Sequence, residues 1–251
     1  MKTVTNSRKR NPSGQAIIEY VLILALIGLI GAVGIHLIGG SSAGGLEKLS
    51  ALFGKSSRTT EPASDDGSPA SPETTYLTDE FDNLDNWFKI NGPHCWKTSG
   101  GLLHTTKDNC TSVLMNTTSV PADYRVNLDM AQLLSGEGYG LMFRLSKSQS
   151  SFTGYSFQVD RGYGNKYVFR RYDKNGTELG VPLAVADPPA GFDFNASHQV
   201  SVSVVGNSFT AYVDGVQVLT ASDSTYTSGN TGLRTWGMSE SAFDGFSVTS
   251  N

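Results

Sequence analysis

The residues that could do chemistry are few and spread along the chain. Glu19 stands inside an apolar run from Ala16 to Ile38, where an ionised carboxylate costs about 2.5–3.5 kcal/mol and therefore marks a function. Asp79, Glu80, Asp82 and Asp85 cluster near the start of the carboxy-terminal part, while Glu137 and Asp160 stand isolated. Asp79 or Glu80 with Asp244 and nearby carbonyls could supply oxygens to a structural calcium ion if their strands are adjacent; otherwise these charges blunt a sheet edge. Trp96, Tyr139, Tyr163 and Trp236 with the Arg170-Arg171 pair could form an aromatic and polar platform for a sugar, although Trp87 and Trp236 are expected in the core. The two cysteines, Cys95 and Cys110, could form a disulfide stabilising the fold by roughly 3 kcal/mol and implying an oxidising compartment; two buried free thiols are the alternative.

The elements that must position these groups change character along the chain. Residues 1–14 form a basic leader with Lys2, Arg8, Lys9 and Arg10, and the apolar run that follows is long enough as a helix to span a bilayer. The positive-inside rule keeps the leader cytoplasmic, so the remainder faces outward. Gly28, Gly31 and Gly34 on the same helix suit close helix packing. A short amphipathic extension with Leu46, Leu49, Leu52 and Phe53 completes a segment over 15–53, and a Ser, Thr, Pro and Asp-rich linker covers 54–75.

From residue 76 to 251, apolar residues alternate with polar ones in short runs such as Tyr124, Val126, Leu128 and Tyr155, Phe157, Val159. This period predicts an all-β, antiparallel β-sandwich. Asn175-Gly176, Gly206-Asn207 and Asp214-Gly215 supply the positive φ of tight hairpins. With a formal net charge of −4, made more acidic by loss of the leader, the chain is a poor partner for nucleic acid.

The amino-terminal sequence Ser13-Gly14-Gln15-Ala16-Ile17-Ile18-Glu19-Tyr20 resembles the processing site of type IV prepilins, and the Glu19-Tyr20 pair is similar to the Flp, or Tad, type IVb branch. The resemblance implies cleavage between Gly14 and Gln15 by a prepilin peptidase and assembly through Glu19 and Tyr20. The new amine of a neighbouring Gln15 would be the cation that a buried Glu19 needs.

DEFDNLDNW (Asp79 to Trp87), GYGLMFRL (Gly138 to Leu145), YVDGVQV (Tyr212 to Val218), GNTGLRTW (Gly229 to Trp236) and FDGFSV (Phe243 to Val248) resemble the concanavalin A-like lectin and glucanase group, laminin G-like domains included. That likeness implies a jelly roll whose first and last strands pair. Glucanases of the group place paired carboxylates about 5 Å apart on one strand. No alternating Glu and Asp run occurs here, so the sequence predicts no enzyme and no cofactor beyond a structural calcium.

Together these features predict a pilin: a precursor in the inner membrane, then a homopolymeric extracellular filament that displays the sandwich, with the assembly machinery and a surface glycan as partners. The alternatives are a minor or tip adhesin, and a membrane-anchored glycan-binding protein or glycoside hydrolase.

Overall fold

The computed structural model describes residues 73–251 apart from 108, 109 and 150. The processing and assembly residues Gly14, Gln15, Glu19 and Tyr20, the apolar run and most of the linker lie outside the described residues. No helix among the described residues is long and apolar enough to cross a membrane.

The strands in chain order are β1 (Thr75–Asp79), β2 (Trp87–Lys89), β3 (Trp96–Ser99), β4 (Leu102–Thr105), β5 (Ser112–Asn116), β6 (Tyr124–Ser135), β7 (Gly138–Ser148), β8 (Ser151–Asp160), β9 (Lys166–Tyr172), β10 (Ala184–Ala186), β11 (Ser197–Val205), β12 (Ser208–Val213), β13 (Val216–Ser222), β14 (Asn230–Trp236) and β15 (Glu240–Thr249). An eight-stranded sheet A runs β13-β12-β11-β6-β15-β4-β3, with β1 also on β15. A seven-stranded sheet B runs β10-β9-β8-β7-β14-β5-β2. All pairings are antiparallel, and β1 and β15, first and last, pair from Thr75 opposite Thr249 to Asp79 opposite Phe246.

Alternation decides which side chains fill the space between the sheets. Val126, Leu128, Val200, Val202 and Phe209 come from sheet A, and Leu141, Phe143, Tyr155, Phe157 and Phe169 from sheet B, all in one buried cluster. Phe143 and Phe209 meet across the sheets with ring centroids 4.9 Å apart, and Trp87 meets Phe246 at 4.9 Å. Asp214 and Gly215, both at positive φ, close the β12–β13 hairpin in two residues, as a turn matched to strand twist requires.

Cys95 and Cys110 are joined by a disulfide with Cα atoms 5.8 Å apart, tying the short 3-10 turn Pro93–Cys95 to the entry of β5. Replacing both cysteines by serine is expected to lower stability by roughly 3 kcal/mol, measured as the shift in urea midpoint. A change below about 0.5 kcal/mol would show that neighbouring packing alone holds the two segments.

Candidate functional site

Strand parity sends a second set of residues to the outer face of sheet B, away from the sandwich core. On β7 these are Gly138, Gly140 and Met142; on β8, Ser156, Gln158 and Asp160; on β14, Gly232, Arg234 and Trp236. The register aligns them in rows: Trp236, Gly138 and Asp160 in one, Arg234, Gly140 and Gln158 in the next, Gly232, Met142, Ser156 and Arg170 in the third.

The two glycines make the middle strand bare, and the indole of Trp236 fills the space above them. A Cβ at Gly138 would come 2.8 Å from Trp236 Cζ2, and one at Gly140 would come 3.6 Å from Cζ3. An aromatic ring laid on a glycine strip is a platform that a pyranose can stack on.

Beside the platform lies a charge cluster built from three elements. Glu178, on the segment after β9, forms an ion pair through Oε1 with Arg170, whose Nε lies 3.1 Å away, and accepts a hydrogen bond through Oε2 from Arg234 Nη1 at 3.0 Å. Gln158 Nε2 and the Tyr172 hydroxyl also donate to Glu178 Oε2, each at 3.0 Å. Burial pushes the Tyr172 phenol up, so it keeps the proton that it donates. Having spent that proton, Tyr172 accepts from Gln158 Nε2 at 2.8 Å and from Ser156 at 3.0 Å.

The other amide oxygen of this network, Gln158 Oε1, is buried and has no hydrogen-bond partner. A buried acceptor left open beside a glycine strip is a place for a ligand hydroxyl. Past the third row the outer face is closed by a small apolar cluster of Val113, Met142, Leu145, Phe152 and Tyr172.

At the opposite end, Asp160 is 5% exposed and its Oδ1 accepts from the Tyr163 amide at 2.9 Å. Burial lifts its carboxyl above the usual range; the charges of Glu178 and Glu137 add to the lift, while the Tyr163 amide and Arg170 oppose it. Tyr163 itself is 44% exposed, and the Arg170 guanidinium lies 4.5 Å from its ring centroid.

Several expected site residues lie elsewhere. Trp96 and Tyr139 belong to the core, where both pack against Phe243, because their strand parity points inward; neither can serve an outer platform. Arg170 and Arg171 are adjacent, so the strand sends them to opposite faces: Arg170 joins Glu178, and Arg171 binds Asp223 at 2.6 Å. Trp236, expected in the core, lies on the outer face. Of the expected set, the outer face brings together Tyr163, Arg170 and Trp236.

Asp79, Glu80 and Asp244 are the carboxylates expected at a calcium ion. Asp79 spends both oxygens locally, on the Phe81 amide and on Trp87 Nε1, each at 2.8 Å, and Asp244 accepts from the Gly245 amide. Glu80 is exposed. Among the described residues the one group of three His, Cys, Asp or Glu ligand atoms close enough for a single ion is His94 with Cys95 and Cys110, and its sulfurs are spent in the disulfide.

A family model described as a 3-keto-alpha-glucoside-1,2-lyase-like domain matches residues 74–249. Among solved structures, the carbohydrate-binding module CBM66 from Bacillus subtilis is 23% identical, with 67% of this chain and 98% of that chain covered and a TM-score of 0.56. A Bacillus subtilis protein of unknown function with a galectin-like fold is 14% identical over 70% and 95%, at 0.56. A prokaryotic β-1,3-1,4-glucanase (lichenase) derived from a mouse hindgut metagenome is 14% identical over 68% and 97%, at 0.53. These likenesses show the concanavalin A-like, galectin-like sandwich. No curated protein sequence matches the chain.

The family match overturns two expectations. A filament-subunit function is corrected, because the part of the chain that carries the family is a lyase-like carbohydrate domain. The expectation of no enzyme is corrected by the same match. A paired carboxylate run on one strand does not reveal the acids of this face: Asp160, Glu178 and Glu137 come from different elements, and Glu178 and Glu137 lie close enough to raise the Asp160 carboxyl.

Proposed function

Because the chain belongs to the family of 3-keto-alpha-glucoside-1,2-lyase-like domains, we propose that residues 74–249 hold a glycosyl unit on the outer face of sheet B and cleave its glycosidic bond by elimination. The observation that carries this reading is the Arg170–Glu178–Arg234 bridge set beside Trp236 on a glycine floor. Trp236 stacks on the sugar ring, Gln158 Oε1 accepts from a hydroxyl, and the outward edges of the two guanidiniums receive ring or carbonyl oxygens.

A ketone at C3 makes the neighbouring C2–H acidic, so a site needs a base near C2 and a cation near the ketone oxygen. The face offers both: Asp160 in the row of Trp236, and Arg234 and Arg170 one and two rows further along. The disulfide supports an oxidising, extracytoplasmic location for this activity.

The test is to incubate the full-length protein with 4-nitrophenyl 3-keto-α-glucoside and with the unoxidised α-glucoside. Nitrophenol release from the keto compound alone is expected. Trp236→Ala should raise KM about tenfold, since stacking contributes roughly 1–1.5 kcal/mol. Binding of both sugars with no release would leave a carbohydrate-binding module without chemistry, and binding of neither would refute the reading.

A further inference from the structure

We infer that Asp160 is the proton-transferring carboxylate of this site, and that Glu178 acts only through the two arginines it holds. The inference rests on the glycoside reading above and goes further by giving each acid of the face its own role.

Three carboxylates are candidates, and their surroundings separate them. Glu178 is bound to two cations: Oε1 faces Arg170, and Oε2 takes hydrogen bonds from Arg234, Gln158 and Tyr172. Three donors on Oε2 and an ion pair at Oε1 tie this carboxylate to the two arginines. Glu137 is exposed on the turn before β7, where bulk water competes for any proton it carries.

Asp160 differs from both. As the last residue of β8 it shares the outward parity of Ser156 and Gln158, and the residue opposite it on β7 is Gly138, over which the Trp236 indole lies. Its Oδ1 is fixed by the Tyr163 amide across the turn that follows β8, which orients the carboxyl without spending both oxygens. It is 5% exposed, so bulk water does not compete freely, and it lies in the row of Trp236, the stacking platform. Its raised carboxyl range suits a group that must take and return a proton.

The step balances within the substrate and this one residue. The Asp160 carboxylate takes the C2 proton, and the C–H electron pair moves into the C2–C3 bond as the C3 ketone becomes an enolate, its oxygen facing Arg170 and Arg234. The enolate then collapses, C1=C2 forms, the C1–O bond breaks, and the departing oxygen takes its proton from Asp160. No oxidant or reductant is consumed.

The experiment measures kcat, KM and exchange of the C2 hydrogen with deuterated water for the full-length protein and its Asp160→Asn and Glu178→Gln variants. Asparagine keeps an oxygen for the Tyr163 amide, so Asp160→Asn should melt within a few degrees of wild type. It should lose about 100-fold or more in kcat with KM within threefold, lose C2 exchange, and lose the acid limb of the pH profile. Asp160→Glu should recover part of the rate. Glu178→Gln should keep C2 exchange and the acid limb while KM rises.

Wild-type turnover together with an Asp160→Asn variant within fivefold of its kcat would overturn the assignment while leaving the glycoside reading intact. Loss of exchange in Glu178→Gln at unchanged KM would also overturn it. A wild type that cleaves no keto-glucoside would remove the glycoside reading, and this inference with it.

Discussion

Arg144→Ala should cost about 3–5 kcal/mol of stability, from the cavity it leaves together with buried carbonyls that lose their donor. Arg144 is 1% exposed, yet it lies on β7 among core residues. It takes φ 48° where the β7–β8 register shifts, between Phe143 and Ser146, and this bulge turns it out of the strand alternation. Its guanidinium then reaches three separate loops: Nη1 donates to Tyr226 O at 3.0 Å, and Nη2 donates to Ala122 O at 3.3 Å and to Gly206 O. Phe209 stacks near it at 5.5 Å.

Truncation removes a planar fork that serves three carbonyls at once, and opens a cavity at the bulge. Arg144→Lys should recover little, because an ammonium cannot span the same carbonyls. Urea unfolding with an unchanged slope checks both variants. A loss below 1 kcal/mol for Arg144→Ala would mean that the loops hold one another without it.

The second large effect concerns ligand. Arg234→Met should weaken glycoside binding by roughly 10- to 100-fold, since a charge-assisted hydrogen bond contributes about 1.5–3 kcal/mol. Arg234 lies between two rings, 5.0 Å from the centroids of both Tyr172 and Trp236, and its Nη1 is held by Glu178. Methionine keeps most of the packing volume, so the loss should appear in affinity more than in thermal stability. Calorimetric titration of wild type and variant with a keto-glucoside measures it; equal affinities would remove Arg234 from the site.

How much of this was legible in the sequence differs residue by residue. Alternating runs such as Val200, Val202, Val204 state their inner face directly, and the hairpin at Asp214-Gly215 follows from two residues. The all-β sandwich could therefore be read from local pattern alone. The outer-face site could not, because it depends on which strands become neighbours. Nothing local to GNTGLRTW says that Arg234 and Trp236 will lie beside Gly138 and Gly140, nearly a hundred positions earlier in the chain. One signal was available: in YSFQVD, the core residues Tyr155, Phe157 and Val159 place Gln158 and Asp160 on the face opposite the core, where polar groups deserved to be read together.

The expected pair Arg170-Arg171 shows the same lesson in reverse. Two adjacent arginines look like one patch in sequence, but a strand divides them, so only Arg170 reaches the site. Glu178 carried no sequence signal at all, since its role comes from the turn at Asn175-Gly176 folding back over β9. The filament reading drew its function from the amino-terminal forty residues, whereas the family is carried by residues 74–249.

Titrating isotope-labelled full-length protein with a 3-keto-α-glucoside, and following amide and indole resonances, asks directly where the sugar goes. The Trp236 indole N–H and the amides of Tyr163 and Gln158 should shift first and saturate together. Shifts confined to the groove on the outer face of sheet A, around Arg125, Asn127 and Tyr212, would contradict it.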